Sequence, residues 1–186
     1  MRHLLLFVGC ALCLTTAPLF AQQRQQDDRP LPAPAKQQKA VAKFIDAQSH
    51  SIGTATLTQM PGGVLIQIEV RGLPPGEHAL HIHAVGRCEA QGAFQSASGH
   101  FNPDGHQHGF RVPGGPHAGD LPNVFVGQDG TLQTEFFNPN VVFGAGRASL
   151  FDADGSAFVI HAKADDHQSQ PAGDSGGRIA CAVIER

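Results

Sequence analysis

Short apolar segments, four to nine residues long and either alternating in polarity or rich in β-branched side chains, recur along this chain between turn signals. They cover Ala40–Asp46, Ser51–Gln59, Val64–Arg71, His78–Ala84, Asn123–Val126, Thr131–Phe137, Ala157–Ala162 and Ile179–Glu185. Pro61-Gly62-Gly63, Pro74-Pro75-Gly76, Gln128-Asp129-Gly130 and Asp152-Ala153-Asp154-Gly155 punctuate them. A period of two sends alternate side chains to opposite faces of a strand, so each segment can cover one side of a core. With 22 Gly and 13 Pro in 186 residues, the chain is interrupted too often for the long Ala/Leu/Glu/Lys runs of a helical bundle or coiled coil. The expectation is an all-β domain of about eight short antiparallel strands, closed as a barrel or packed as a sandwich. Two polar, Gly-rich stretches break the rhythm, Glu89–Leu121 and Lys163–Arg178. Long loops of this kind are usually functional and need something to hold them.

The N-terminal region reads differently. Arg2 and His3 precede an apolar run from Leu4 to Leu14, followed by a small-residue region from Thr15 to Ala21. This is the layout of a signal peptide over 1–21, cut after Ala21, and the apolar run is short of the roughly 20 residues that span a membrane. Residues 22–39 are rich in Gln and Pro, with Leu31 as the one large apolar side chain, and are expected to form a disordered tail. The folded domain is then expected over 40–186, exported to the periplasm or the extracellular space, with no membrane association after signal cleavage. Cys10 and Cys13 leave with the signal, and Cys88 and Cys181 remain. An oxidising compartment favours their pairing, the alternative being two unpaired buried thiols.

A formal net charge of −3 gives no support to a nucleic-acid partner. Eleven His is many for this length, and most fall between His78 and His167. Histidine is the commonest metal ligand. His81 and His83 share one strand face, with Ile82 on the other. The first long loop adds His100, His108, His117 and Asp120, and three imidazoles with one carboxylate suit a closed tetrahedral zinc site. His161 ends the strand segment Phe158-Val159-Ile160-His161 and adds another imidazole.

Together these segments resemble the Cu,Zn superoxide dismutase family in its exported bacterial form. The resemblance is carried by His81-Ile82-His83, Gly86-Arg87-Cys88, Gly99-His100-Phe101-Asn102-Pro103, His108, His117-Ala118-Gly119-Asp120-Leu121, His161-Ala162-Lys163-Ala164-Asp165-Asp166 and Gly177-Arg178-Ile179-Ala180-Cys181. It implies an eight-stranded Greek-key antiparallel barrel with two long functional loops, and one copper and one zinc per subunit. Copper would be held by His81, His83, His100 and His161. Zinc, with a structural role, would be held by His100, His108, His117 and Asp120. A shared imidazole must give up both ring protons, which two adjacent cations favour. Asp165 matches the carboxylate that orients ligands of both metals, and Cys88–Cys181 the disulfide. The implied substrate is the superoxide anion, disproportionated to dioxygen and hydrogen peroxide for protection of the cell envelope. Catalytic roles would fall to His100, as proton carrier, and to Arg178, which draws in the anion. A homodimer is compatible with the pattern, which does not by itself fix the oligomeric state.

The chain also departs from the family's eukaryotic members. The stretch from Cys88 to His100 is longer, and that from Asp166 to Arg178 is shorter and carries no Lys, so steering roles do not transfer beyond Arg178. Lys163 is a weaker steering candidate, with an ordinary exposed lysine as its plain reading. His50, His78, His106 and His167 match no ligand position and are expected at the surface. Gly173-Asp174-Ser175-Gly176-Gly177 spells the nucleophile motif of chymotrypsin-like proteases, but such a serine needs a positioned His, a buried Asp and an oxyanion hole. Too little chain follows Ser175 to build the pocket, and the motif reads as a flexible Gly-rich loop. The remaining alternative is a non-enzymatic copper/zinc binding or copper-delivery protein on the same fold.

Overall fold

A computed structural model describes residues 37–186. The expected signal peptide and all but the end of the expected tail lie outside the described residues. Nine strands are present among those described: β1 (Lys39–Asp46), β2 (Ser51–Met60), β3 (Gly63–Val70), β4 (Gly76–His78), β5 (Leu80–His83), β6 (Val124–Val126), β7 (Leu132–Asn138), β8 (Ala157–His161) and β9 (Arg178–Glu185). Every pairing is antiparallel. Seven strands form a curled sheet in the order β5-β8-β9-β1-β2-β3-β7, and β4 pairs with β6. β3 and β7 are each followed in sequence by strands that lie elsewhere in the order, the crossing connections of a Greek key.

The segment expected as one strand, His78–Ala84, is two. The break falls at Ala79, whose N–H donates to the Lys163 carbonyl at 2.8 Å and whose carbonyl accepts from the His161 N–H at 2.9 Å. There the chain changes partners, since β4 pairs with β6 whereas β5 pairs with β8. Counted as one bent strand turning a barrel corner, β4–β5 restores the expected eight.

The core follows from the alternation. Ala40, Ala42 and Phe44 of β1 point in while Lys39, Val41 and Lys43 point out, and Val64, Ile66, Ile68 and Val70 of β3 are buried. β5 and β8 break the pattern by being buried at every position. Leu80, Ile82, Phe158 and Ile160 belong to the main core. On the opposite face, Ala157 and Val159 pack with Phe94, Ala97 and Cys181, so the loop after β5 covers the outside of the sheet.

The same loop closes the open edge of β5. Ile82 N–H donates to the Gly119 carbonyl, Phe101 N–H to the Ile82 carbonyl and Gly119 N–H to the Phe101 carbonyl, each at 2.8 Å, and Ala84 N–H donates to the Gly99 carbonyl at 2.9 Å. An edge that would expose unpaired backbone groups is thereby satisfied. No helix among the described residues is long and apolar enough to cross a membrane.

Cys88 and Cys181 are joined in a disulfide that closes a loop with a sequence separation of 93. By loop-closure entropy such a link is worth about 4–5 kcal/mol. Cys181→Ser is therefore expected to lower the melting temperature of the oxidised protein by roughly 10 °C. Thermal unfolding followed by circular dichroism checks this; equal melting temperatures for variant and parent would show that the link adds nothing.

Candidate metal centre

His81 and His83 project from the outer face of β5. Backbone bridges set Asp120 opposite His81 and His100 opposite His83. The approach depends on Gly119, because a Cβ there would run into the Ile82 carbonyl. On the other side of β5, the β8–β9 register shifts between Ile160 and His161 and pairs His161 with Arg178. Sheet edge, loop and strand end thus converge from three parts of the sequence.

The first cluster is His81, His83, His100 and His161, each offering a donor atom within 4.8 Å of the others. One ring nitrogen of each is buried with no hydrogen-bond partner: His81 Nδ1, His83 Nε2, His100 Nε2 and His161 Nε2. The second nitrogen of each ring is occupied. His81 Nε2 lies 2.8 Å from Asp165 Oδ2, His83 Nδ1 2.8 Å from the Ser98 carbonyl, His100 Nδ1 2.9 Å from Asp120 Oδ1, and His161 Nδ1 3.1 Å from Ser175 Oγ. A ring whose proton is donated to an oxygen on one side presents a lone pair on the other. Burial pushes His83 well below the ordinary imidazole range, His100 down to about 4 and His161 down to about 3. These three rings are neutral at pH 7, the form that binds metal.

The second cluster centres on Asp120 Oδ1, which lies 2.9 Å from His100 Nδ1 and 3.1 Å from both His108 Nδ1 and His117 Nδ1. His117 Nδ1 and His100 Nδ1 are 3.3 Å apart. Four donors around a tetrahedral ion with bonds of 2.0–2.1 Å lie roughly 3.3 Å from one another, so this set has the dimensions of a zinc seat. His81 also falls within 4.8 Å of His100, His108 and Asp120, while its Nε2 is engaged with Asp165, and His117 stands beside the same Asp120 oxygen. Burial would raise Asp120, yet hydrogen bonds with His100, His108 and His117 outweigh it and hold the carboxyl well below its usual range. Burial likewise opposes protonation of His108, but hydrogen bonds to Asp120 and Asp165 prevail and lift it to about 9. Asp165 joins the clusters, with Oδ2 on His81 and Oδ1 3.0 Å from His108 Nε2.

Several supporting residues carried no signal in the sequence. Asn123 pairs with both backbone groups of Asp165, accepting its N–H at 2.8 Å and donating to its carbonyl at 2.9 Å. Gln170 does the same for His108, at 2.9 and 2.8 Å. Arg178 donates from Nη1 to the Phe94 carbonyl at 2.6 Å and from Nη2 to the Ser98 carbonyl at 2.7 Å. Lys163 is exposed and lies 3.9 Å from Asp174 Oδ2, which offsets its charge at the rim. Two expectations are corrected. His78 is 3% exposed, with Nδ1 2.7 Å from the His161 carbonyl and Nε2 2.9 Å from that of Pro74; its parity with Leu80 and Ile82 was the available clue. Ser175 is 2% exposed, packed against His161 and not part of an open loop. His167 is half-buried, its ring against Phe110 with centroids 5.1 Å apart, while His50 and His106 are exposed as expected.

Comparison with known proteins gives a consistent answer. The profile of the family described as copper/zinc superoxide dismutase (SODC) matches residues 51–184. A copper–zinc superoxide dismutase of Aquifex aeolicus (strain VF5) is 47% identical over 148 residues, covering 78% of this chain and 86% of the relative. One from Caulobacter vibrioides is 42% identical over 149 residues, covering 78% and 84%. Among solved structures, a double mutant of a SOD-like protein from Bacillus subtilis aligns with a TM-score of 0.75 at 37% identity, covering 78% of this chain and 97% of that one. With most of its length matched by the profile and by relatives well above 30% identity, the chain belongs to the copper/zinc superoxide dismutase family.

Proposed function

We propose that this protein is a superoxide dismutase that converts two superoxide anions and two protons into one dioxygen and one hydrogen peroxide. The observation that carries the reading is the position of His100, one imidazole belonging to both clusters. Copper fits His81, His83, His100 and His161, whose four buried nitrogens have lone pairs and no other partner, and imidazole suits copper in both oxidation states. Zinc fits His100, His108, His117 and Asp120, a closed set of four N/O donors of tetrahedral size. Bound copper supplies a one-electron redox couple, and bound zinc, which has none, supplies a fixed charge.

The chain's own residues do the rest. His100 is tethered through Nδ1 to the Asp120 side, so its Nε2 can take up a proton and give it to the departing peroxide while the ring keeps its place. Asp165 holds His81 and His108 at once, so the two donor sets keep a fixed spacing. Arg178 is fixed by two carbonyls and leaves the remainder of its five donors for a small anion. It lines a cleft of about 370 Å³ together with His161, Ser175 and Gly176. Because the chain is net acidic, attraction of an anion has to be local, and a cationic group in a cleft can raise association rates roughly 10–1,000-fold.

Export is part of the same proposal. The disulfide belongs to an oxidising compartment, which agrees with a signal at 1–21, a tail over 22–39 and a folded domain over 40–186, released to the periplasm or outside the cell to guard the envelope against superoxide.

The deciding test is turnover with defined metal content. Protein loaded with copper and zinc is expected to remove superoxide, to lose activity on chelation and to regain it only with copper. Loaded protein no faster than buffered copper-free solution would leave a binding or copper-delivery role instead. His100→Ala is expected to reduce activity about 100-fold or more and to make the copper absorption spectrum independent of zinc occupancy. Arg178→Glu is expected to slow the reaction at least tenfold at low salt and to flatten its dependence on ionic strength, as read by pulse radiolysis across a salt series.

A further inference from the structure

Ser175 belongs to a sequence motif that the fold does not use for covalent chemistry. The serine is 2% exposed, and its hydroxyl lies against His161, whose other ring nitrogen faces the first cluster. The loop aims the hydroxyl by backbone means. Gly173, Asp174 and Gly176 take positive φ values of 68°, 50° and 75° around it, and the Ser175 carbonyl accepts the Lys163 N–H at 2.9 Å. The result is a hydroxyl oxygen 3.1 Å from His161 Nδ1, nearer than the Gly176 carbonyl at 3.4 Å.

The two nitrogens of His161 therefore have distinct tasks. Nε2 is buried without a partner and presents the lone pair to the first cluster. Nδ1 carries the proton and must donate it, and the hydroxyl is the closer acceptor. A hydrogen bond accepted from the far nitrogen of a ligating imidazole fixes its tautomer and ring orientation and raises its basicity. We propose that Ser175 is a positioning residue for the copper ligand His161: its hydroxyl accepts the Nδ1 proton, strengthens Nε2 as a donor and so favours the oxidised, more electron-demanding copper. This rests on the reading of His161 as a copper ligand.

The test compares the metal-loaded parent with Ser175→Ala. The variant is expected to hold Cu(II) about tenfold less tightly in chelator competition, to shift the Cu(II)/Cu(I) midpoint potential upward, and to change the Cu(II) electron paramagnetic resonance spectrum, with zinc retention unchanged. Ser175→Thr, which keeps a hydroxyl, is expected to restore all three copper properties, and Ser175→Val, of the same shape without it, is not. The Thr/Val pair carries the comparison if Ser175→Ala fails to fold. Parent-like copper affinity, potential and spectrum in Ser175→Ala or Ser175→Val overturn the role of Ser175 while leaving His161 as a ligand. A parent protein that takes up no copper overturns the ligand reading and this inference with it.

Discussion

Buried imidazole lone pairs have nowhere to go inside a protein that lacks donors to meet them. Leaving one polar group unmet in the interior costs about 1–3 kcal/mol, and four such nitrogens gather in one place here. The surrounding oxygens cannot relieve them, because each is already engaged with the opposite edge of a ring. A cation is the one partner that accepts four lone pairs at once. The second cluster states the same constraint in another form: three imidazole nitrogens crowd a single carboxylate oxygen, a packing that makes chemical sense around a shared positive charge.

The barrel's contribution is to supply a strand that is covered on both sides. In an ordinary strand of this sheet the outward face meets water, as Lys39 and Lys43 do in β1. β8 instead receives a lid made of the disulfide-tethered loop, whose Phe94 and Ala97 pack on Ala157 and Val159, and the edge of β5 is closed by the backbone of Gly99, Phe101 and Gly119. That lid lowers the local polarity, favours the neutral form of His83, His100 and His161 and fixes the candidate ligands brought by the loop. The fold and the site are thus one construction: backbone bonds that blunt the β5 edge are the bonds that deliver His100 and Asp120.

Much of this was legible in the residues, and the failures have physical causes. Alternation, or in Ala157–Ala162 a continuous apolar run, located seven of the expected segments, because one-sided burial writes a period of two into a strand and two-sided burial an unbroken one. The eighth, His78–Ala84, was divided by a change of pairing partner at Ala79, which leaves no mark in side-chain polarity. The candidate ligands were visible as residue types at revealing spacings; His81, His83, His100 and His161 gather in one group and His81, His100, His108 and Asp120 in another, with His117 beside Asp120. Asn123, Gln170 and the carbonyls of Phe94 and Ser98 were invisible, since amide clamps and backbone oxygens are not distinguished by composition. His78 was misread as a surface residue because a histidine satisfied by two carbonyls looks in sequence like any other. Ser175 lies in the expected loop but is buried there, since the glycines on either side of it adopt dihedral angles that aim its side chain inward.

The Ser98 carbonyl accepts from both His83 Nδ1 and Arg178 Nη2, one oxygen serving a candidate ligand ring and the guanidinium beside it. It is presented by a residue at φ 65° and ψ −151°, a backbone region that is essentially the preserve of glycine and costs other residues roughly 1–3 kcal/mol. The exposed serine side chain is thus incidental to the task, and what natural variation must preserve at this point is an angle, not a chemical group. Within the connection from Cys88 to Ser98, Phe94 and Ala97 are held to their places by the packing they supply and by the carbonyl that anchors Arg178, whereas at position 98 glycine would relieve the backbone and still present the same oxygen to the ring and the guanidinium.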